Sequence, residues 1–457
     1  MEKSLFRRTF EDRRFLRVAA SIAVPVTLQQ VLSTVTNMVD TMMIGSLGTA
    51  TISAVGLSNK FFFVFALMIF GVFSGMGLLM AQFFGNQDFF HIRKTFGLGV
   101  IIDLTAGILF MLAAQLRPDF ILHLFTDSAE ATEIGIRYIR IVSISYPIFG
   151  LISIMSGMLR STRQVNTPVK TSVAAILVNI FLNYTLIFGH FGFEPMGVEG
   201  AAIATVIARA TECLLLIYFC FVKGEILKGK LSDFVGWSSG FLKNFVSHSL
   251  PVILNEMVWG LGTTLYFVAY GHIGDEAVAA MTINATVTDI IMTVGNGLSS
   301  AASVLLGNEL GAGHLKKADD YSQKIILLGI LAGFAGMLIM FPLRGPILSL
   351  YNVPDSVRHD AALCMATYFL ILPVIFENLI IIVGILRAGG DTRMCFLIDT
   401  AGVWFIAVPL AFLGALVWHL PIYAIYGCVL MEEVFKGITG FLRYRQKKWL
   451  NNLSDEV

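Results

Sequence analysis

The stretch Asn37-Met38-Val39-Asp40-Thr41-Met42-Met43-Ile44-Gly45 sets one carboxylate inside a long apolar run. A charged side chain at membrane depth costs at least about 2.5–3.5 kcal/mol on insertion scales, so one that is kept marks a cavity, a proton relay or an ion path. The competing reading is an Asp hydrogen-bonded to neighbouring Asn and Thr side chains as glue between helices. Either reading requires that the run be a membrane helix, and composition decides this. Of 457 residues, 56% are hydrophobic and only 14% charged, with a mean hydropathy of +0.77. Soluble chains carry about 25% charged residues, so this one is short of water-facing surface. It reads as an integral membrane protein. Its net charge of +1 leaves no excess of one sign to steer nucleic acid or an acidic partner.

A helical span takes about 20 mostly apolar residues, whereas spanning strands would show a dyad alternation. Working outward from Asp40, such runs cover residues 18–45, 52–84, 96–116, 131–158, 169–188 and 200–222. After a break they resume at 246–270, 277–306, 325–341, 361–386, 394–417 and 422–441. Twelve transmembrane helices are therefore expected. Basic residues collect on cytoplasmic turns. Arg7 to Arg17, Arg93 with Lys94, Arg160 with Arg163, Lys223 to Lys230, Lys316 with Lys317, Arg387 with Arg393, and Arg443 to Lys448 mark one side. Asp119, Asp127, Glu130, Glu133, Glu194, Glu199, Asp275, Glu276 and Asp355 mark the other, with Arg137 and Arg140 running against the rule. Both termini are expected in the cytoplasm, in a multi-pass protein of the inner (plasma) membrane. The charged start, Met1 to Arg8, precedes a run too long for a signal-peptide core, so the first helix is expected to serve as its own insertion signal. The five cysteines sit in apolar runs and show no disulfide spacing.

The Lys-dotted segment 223–245 is the one shift of composition in the middle. It reads as a linker between an N-lobe, 1–222, and a C-lobe, 246–457. An ungapped offset of 226 aligns Pro25 with Pro251, Gly45 with Gly271, Gly48 with Gly274, Gly71 with Gly297 and Gly85 with Gly311. Five coincidences at one offset indicate an internal repeat. The offset joins helix one to helix seven, so the two six-helix bundles run in the same direction, which is a transporter architecture. One soluble motif is set aside. Gly224-Glu-Ile-Leu-Lys-Gly-Lys-Leu231 fails as a phosphate loop, because Leu231 stands where Ser or Thr would hold magnesium.

Several stretches together resemble the MATE (multidrug and toxic compound extrusion) family. They are Asn37-Met-Val-Asp-Thr41 before Gly45-Ser-Leu-Gly48, Ser156-Gly-Met-Leu-Arg160, Asn179-Ile-Phe-Leu-Asn183, Gly197-Val-Glu-Gly-Ala-Ala-Ile-Ala-Thr205 and Leu386-Arg-Ala-Gly-Gly-Asp-Thr392. The resemblance implies a cation-coupled exporter with two six-helix lobes around a central cleft. It implies that Asp40 takes up H+ or Na+ beside Asn179, Asn183 and Thr205; some members carry an acid where this chain has Asn183. It also implies acids lining the C-lobe at Glu256 in the seventh helix and Glu377 in the tenth.

The residues themselves are consistent with these roles. Asn179 and Asn183, four apart, share one helix face. A Na+ site wants several oxygens, at Asp40, Asn179 and Asn183, while a proton needs only a desolvated carboxyl. The repeat pairs Glu256 with Gln30 and Tyr266 with Asp40, so the lobes carry their acids on different turns; Glu256, Glu377, Tyr266 and Gln30 form the candidate substrate or second cation site. Pro25 removes a backbone hydrogen bond and lets the first helix bend before Asp40. Asp103, Glu212, Asp289, Asp399, Glu432 and Glu433 also fall in or beside apolar runs. Arg209 and Glu212, one turn apart, are expected to pair.

The expected function is antiport of amphipathic, often cationic, organic compounds against H+ or Na+ by a monomer, with no cofactor beyond the coupling ion. A flippase of lipid-linked sugars is the alternative, although such a cavity would hold several basic residues for phosphate. A membrane enzyme would need a convergent nucleophile or metal set, and none is evident.

Overall fold

The computed structural model describes residues 4–126 and 128–456; Met1 to Lys3, Asp127 and Val457 lie outside the described residues. The described chain is helical and contains no strand. Eleven helices are long and apolar enough to cross a membrane: α1 (Arg13–Gly45), α2 (Thr49–Gly85), α3 (Phe89–Leu116), α4 (Ala129–Ser161), α5 (Asn166–Phe188), α6 (Gly197–Lys223), α7 (Ser239–Gly271), α8 (Asp275–Gly311), α9 (Leu315–Leu348), α10 (Asp355–Leu386) and α11 (Thr392–Leu416). The expected twelfth span is not one helix. It breaks at Leu430 into α12 (Ile422–Val429) and α13 (Met431–Arg445). Glu432 and Glu433 occupy the first turn of α13, where a helix N-terminus favours negative charge.

The repeat extends from Gly and Pro positions to whole helices. α1 and α7 are both 33 residues long, α2 and α8 both 37. The starts of α1 to α5 (13, 49, 89, 129, 166) and of α7 to α11 (239, 275, 315, 355, 392) each differ by 226. Gly48 and Gly274, which open α2 and α8, have φ of +115° and +139°, a backbone that glycine adopts at low cost. The helices also extend beyond the apolar runs. α9 starts at Leu315 because its first turns, rich in Lys and Asp, stay helical outside the hydrocarbon.

By contacts the chain divides into two compact units, one formed by Met1–Thr27 with Asn244–Val457 and the other by Leu28–Lys243. The boundary crosses α1 two residues after Pro25. In the second unit Phe65 stacks on Tyr146 with ring centroids 5.4 Å apart, in a core with Ile69, Tyr138 and Val142. In the first unit Tyr270, Phe369, Phe376 and Ile425 form the core. Both units use one packing device at repeat-equivalent positions. A Cβ on Gly107 would stand 2.6 Å from Pro147 Cα, and one on Gly333 would stand 2.5 Å from Pro373 Cα. Gly107→Val and Gly333→Val should therefore each destabilise the protein by about 1–3 kcal/mol through overpacking, read as lowered thermal stability in detergent.

A short helix, Leu5–Glu11, is strapped to α9 within the first unit. Arg8 pairs with Asp320, and Lys324 Nζ lies 2.6 Å from both Asp12 and Asp320. Burial acts to raise the Asp12 carboxyl, but the hydrogen bond and charge of Lys324 outweigh it and hold it below its ordinary value. A depressed folded-state value means that the strap's stabilisation is present above the unfolded carboxyl's range, near about 3.9, and is lost as pH falls through the folded value. Amide exchange across Leu5–Glu11, taken relative to the unstructured chain's rate at each pH, should accordingly be steady from neutral to mildly acid pH. It should quicken a few-fold in Asp12→Asn, in keeping with the ~1 kcal/mol scale of a half-exposed pair.

Candidate functional site: two polar clusters inside the bundles

Three helices of one unit build the site around Asp40. Asn183 Nδ2 donates to Asp40 Oδ1 at 2.6 Å and also to Asn179 Oδ1 at 3.2 Å. Asn183 is 1% exposed, and its Oδ1 has no hydrogen-bond partner. A buried carbonyl oxygen without a donor, beside a carboxylate, suits a cation or a proton-bearing group. A polar cavity of about 190 Å³ runs from this point, lined by Asp40, Asn37, Thr36 and Ser33 of α1, Asn179 and Ser172 of α5, and Thr205, Arg209 and Glu212 of α6. The Thr205 hydroxyl donates to its own helix at Ala201 O, 3.0 Å away. Thus Asp40, Asn179, Asn183 and Thr205 occupy one locality. Gln30, half-buried, accepts from Thr34 Oγ1 through its backbone carbonyl, and Pro25 lies inside the unbroken α1.

Toward the Arg160 turn the seam continues. Arg160 Nη2 donates to Gln29 Oε1 (3.1 Å), Gln29 Nε2 to Ser172 Oγ (2.7 Å), and Ser172 Oγ to Glu212 Oε1 (2.5 Å). The expected Arg209–Glu212 pair is replaced by other contacts. Arg209 Nη1 donates to Ser145 Oγ at 2.8 Å and its guanidinium stacks over Phe62 at 4.4 Å. Spacing along one helix could not anticipate partners on neighbouring helices. Asp103 of α3 is fully buried with neither oxygen hydrogen-bonded, in close packing with Gly150.

The second cluster lies in the other unit. Glu256 Oε1 is 2.8 Å from Arg387 Nη1, and both are buried. Arg387 reads from sequence as a turn charge, yet it is only 3% exposed. Tyr266, the repeat partner of Asp40, donates its hydroxyl to Glu432 Oε2 at 2.9 Å. Lys436 of α13 stands among Glu432, Glu433 and Asp399, and Asn255 Nδ2 donates to Asp399 Oδ2 at 2.9 Å. Glu377 is half-buried on α10. From sequence Arg387 looks like one of many helix-end bases, and Lys436 falls inside the last apolar run, 422–441. Among the described residues no group of three His, Cys, Asp or Glu is placed to hold a metal ion.

A duplicated bundle of membrane helices that buries carboxylates, one of them beside a polar cavity, has the construction of a transporter. Comparison with known proteins narrows the class. The MatE family model matches twice, at residues 25–185 and 251–413, and the two matches begin 226 residues apart, as the repeat does. The chain belongs to the MATE family and is a multi-pass membrane protein of that transporter family. It is 24% identical over 434 residues to the "Probable multidrug resistance protein NorM" of Thermotoga maritima, covering 94% of this chain and 92% of that protein. It is 25% identical over 440 residues to human "Multidrug and toxin extrusion protein 1", covering 93% of this chain and 74% of that one. Among solved structures, the outward-facing conformation of a multidrug resistance MATE family transporter of the MOP superfamily superposes with a TM-score of 0.86 at 19% identity, covering 94% and 95% of the two chains.

Proposed function

We propose that the protein is a secondary active exporter of amphipathic, often cationic, organic compounds, working by alternating access in antiport with H+ or Na+. The observation that carries this reading is Asp40, held by Asn183 beside the unpartnered Asn183 Oδ1 at a polar cavity in a MATE-family chain. Asp40 takes up the cation, with Asn179, Asn183 and Thr205 as neutral oxygens around it. Glu256, Tyr266 and Glu377 of one unit, and Gln30 of the other, each serve substrate or a second cation; a cationic group arriving at Glu256 competes with Arg387 for its carboxylate. Pro25 is the hinge of α1, and the boundary between the two units two residues beyond it supports that role. Cation uptake at Asp40 biases the bend of α1 at Pro25, since a ligand shifts a conformational equilibrium only by its differential affinity for the two states.

The relatives' names, which refer to multidrug resistance and to toxin extrusion, support organic cargo. The cavity at Asp40 holds two acids and one base, Arg209, a poor match to the several basic residues that a phosphate-bearing lipid would need. In this reading the protein acts as a monomer in the inner membrane, with both termini cytoplasmic and the lobes joined by the 223–245 linker. The test is accumulation of a fluorescent organic cation in proteoliposomes under an imposed pH or Na+ gradient. Uptake that collapses with the matching ionophore supports antiport, and equal uptake with and without either gradient rejects it.

A further inference from the structure

The second cluster holds more negative charge than it can leave bare. Around Lys436 Nζ stand Glu433 Oε1 at 3.5 Å, Glu432 Oε2 at 3.7 Å and Asp399 Oδ1 at 3.9 Å. Each acid is also fixed by one uncharged donor: Tyr266 Oη on Glu432 at 2.9 Å, Asn378 Nδ2 on Glu433 at 2.8 Å, and Asn255 Nδ2 on Asp399 at 2.9 Å. Glu256 and Arg387 compensate each other. Three carboxylates therefore share one ammonium, an excess of two. Arg387 and Glu256 both face Asp399 and cancel each other's charge, and the remaining titratable groups bring no positive charge: Tyr270 and Tyr426 face Glu432, Tyr368 faces Glu433, and Cys395 faces Asp399. Glu432 and Lys436 are only 6% and 4% exposed. Burying an uncompensated charge costs several kcal/mol per ion, so the buried members of the set favour a further positive charge.

The backbone is shaped around this point. α10 turns π-helical over Leu379–Leu386 and α11 over Gly402–Ala407, and the last span breaks at Leu430. π segments concentrate at functional sites, and interrupted helices hold ions in transporters. A Cβ on Gly402 would stand 3.1 Å from Lys436 Cε, so the irregular turn of α11 makes room for that side chain. Asn255, 3% exposed, gives its Nδ2 to Asp399 and leaves its Oδ1 without a donor. That buried acceptor, beside an acid, is where the hydroxyl of a protonated carboxyl could be received. The repeat adds a further sign. Tyr266 takes the position of Asp40 and hydrogen-bonds Glu432, so this bundle supplies its acid from α13 where the other supplies it from the first helix.

We propose that Asp399, Glu432 and Glu433 around Lys436 form a proton-binding site, separate from Asp40 and adjoining the Glu256–Arg387 pair, that holds up to two protons against the excess carboxylates. In the binding step an O–H bond of a hydronium ion breaks as an O–H bond forms on a carboxylate oxygen, and one water is released. The number of protons held follows a count: acids minus ammonium. What the protons are used for rests on the antiport reading above, whereas their binding does not.

Infrared pH titration of the full-length protein in nanodiscs reads the C=O band of protonated carboxyls. The share of that band contributed by these three acids should persist in Asp40→Asn and fall by about half in Glu432→Gln or Glu433→Gln, two protons becoming one. Lys436→Met should raise it by half again. The double variant Lys436→Met/Glu432→Gln keeps the count at two and should restore the original intensity, which also excludes misfolding as the cause of the single-variant changes. A band unchanged in all four basket variants would make the cluster a fully ionised network and overturn the proposal. A band lost in Asp40→Asn, or removed by added Na+, would overturn it as well by assigning the proton elsewhere or the site to a metal ion. The readout needs neither substrate nor gradient, so its failure leaves coupling at Asp40 standing.

Discussion

Asp40→Asn should abolish gradient-driven accumulation of substrate while leaving a folded protein. The substitution keeps the shape of the side chain and an oxygen for Asn183 Nδ2, 2.6 Å away in the native contact, so the α1–α5 hydrogen bond survives. It removes the negative charge, and with it the group that titrates or neutralises a bound cation. A neutral amide cannot hold a proton at this depth, and it forfeits the charge attraction for Na+. A loss of at least ~1.4 kcal/mol in cation affinity corresponds to about tenfold in binding, and transport that depends on it should fall to the level of protein-free liposomes. Uptake is the first measurement, and thermal stability in detergent, unchanged from wild type, is the control. Equal uptake in the two proteins under both gradients would remove Asp40 from the coupling role.

Arg387→Met should be among the most destabilising single changes in the chain. It strips Glu256 of the guanidinium 2.8 Å away and leaves a carboxylate that is 9% exposed with its charge uncompensated. Removing one partner of a buried pair costs about 3–5 kcal/mol, whereas replacing both by neutral groups of similar size is often neutral. Glu256→Gln/Arg387→Met should therefore recover most of the stability lost by Arg387→Met alone. Thermal unfolding of the purified proteins in one detergent reads both. If the single and double variants melt together, the pair contributes no more than any two polar residues in the helix packing.

The contrast between these sites shows what sequence can carry. The repeat was legible from five Gly and Pro coincidences, because those residues sit where backbone geometry leaves few substitutes, and the helix starts and the twofold family match fall at the same offset. Helix lengths were less legible. Hydropathy marks the hydrocarbon, so α9 was expected to begin at Ile325 although its polar first turns are helical from Leu315. The break at Leu430 was hidden, since α12 and α13 begin within the one apolar run at 422–441, which also takes in Glu432 and Glu433. Asn179 and Asn183 could be placed together because four residues on one helix fix a common face. Their approach to Asp40 came from the family resemblance, and that of Glu256 to Arg387, 131 positions apart, came from nothing in the linear pattern. Pairing across helices depends on packing that no single-helix periodicity encodes.

The central claim is that outward movement of substrate is chemically tied to inward movement of one cation. It is tested most directly by running the cycle on a substrate gradient alone, in proteoliposomes with no initial pH or Na+ difference, while interior pH and tracer Na+ are followed. The account predicts that one of the two ions moves opposite to the substrate, and that this movement is absent in Asp40→Asn. Substrate flux across the membrane with neither ion moving in return would contradict it.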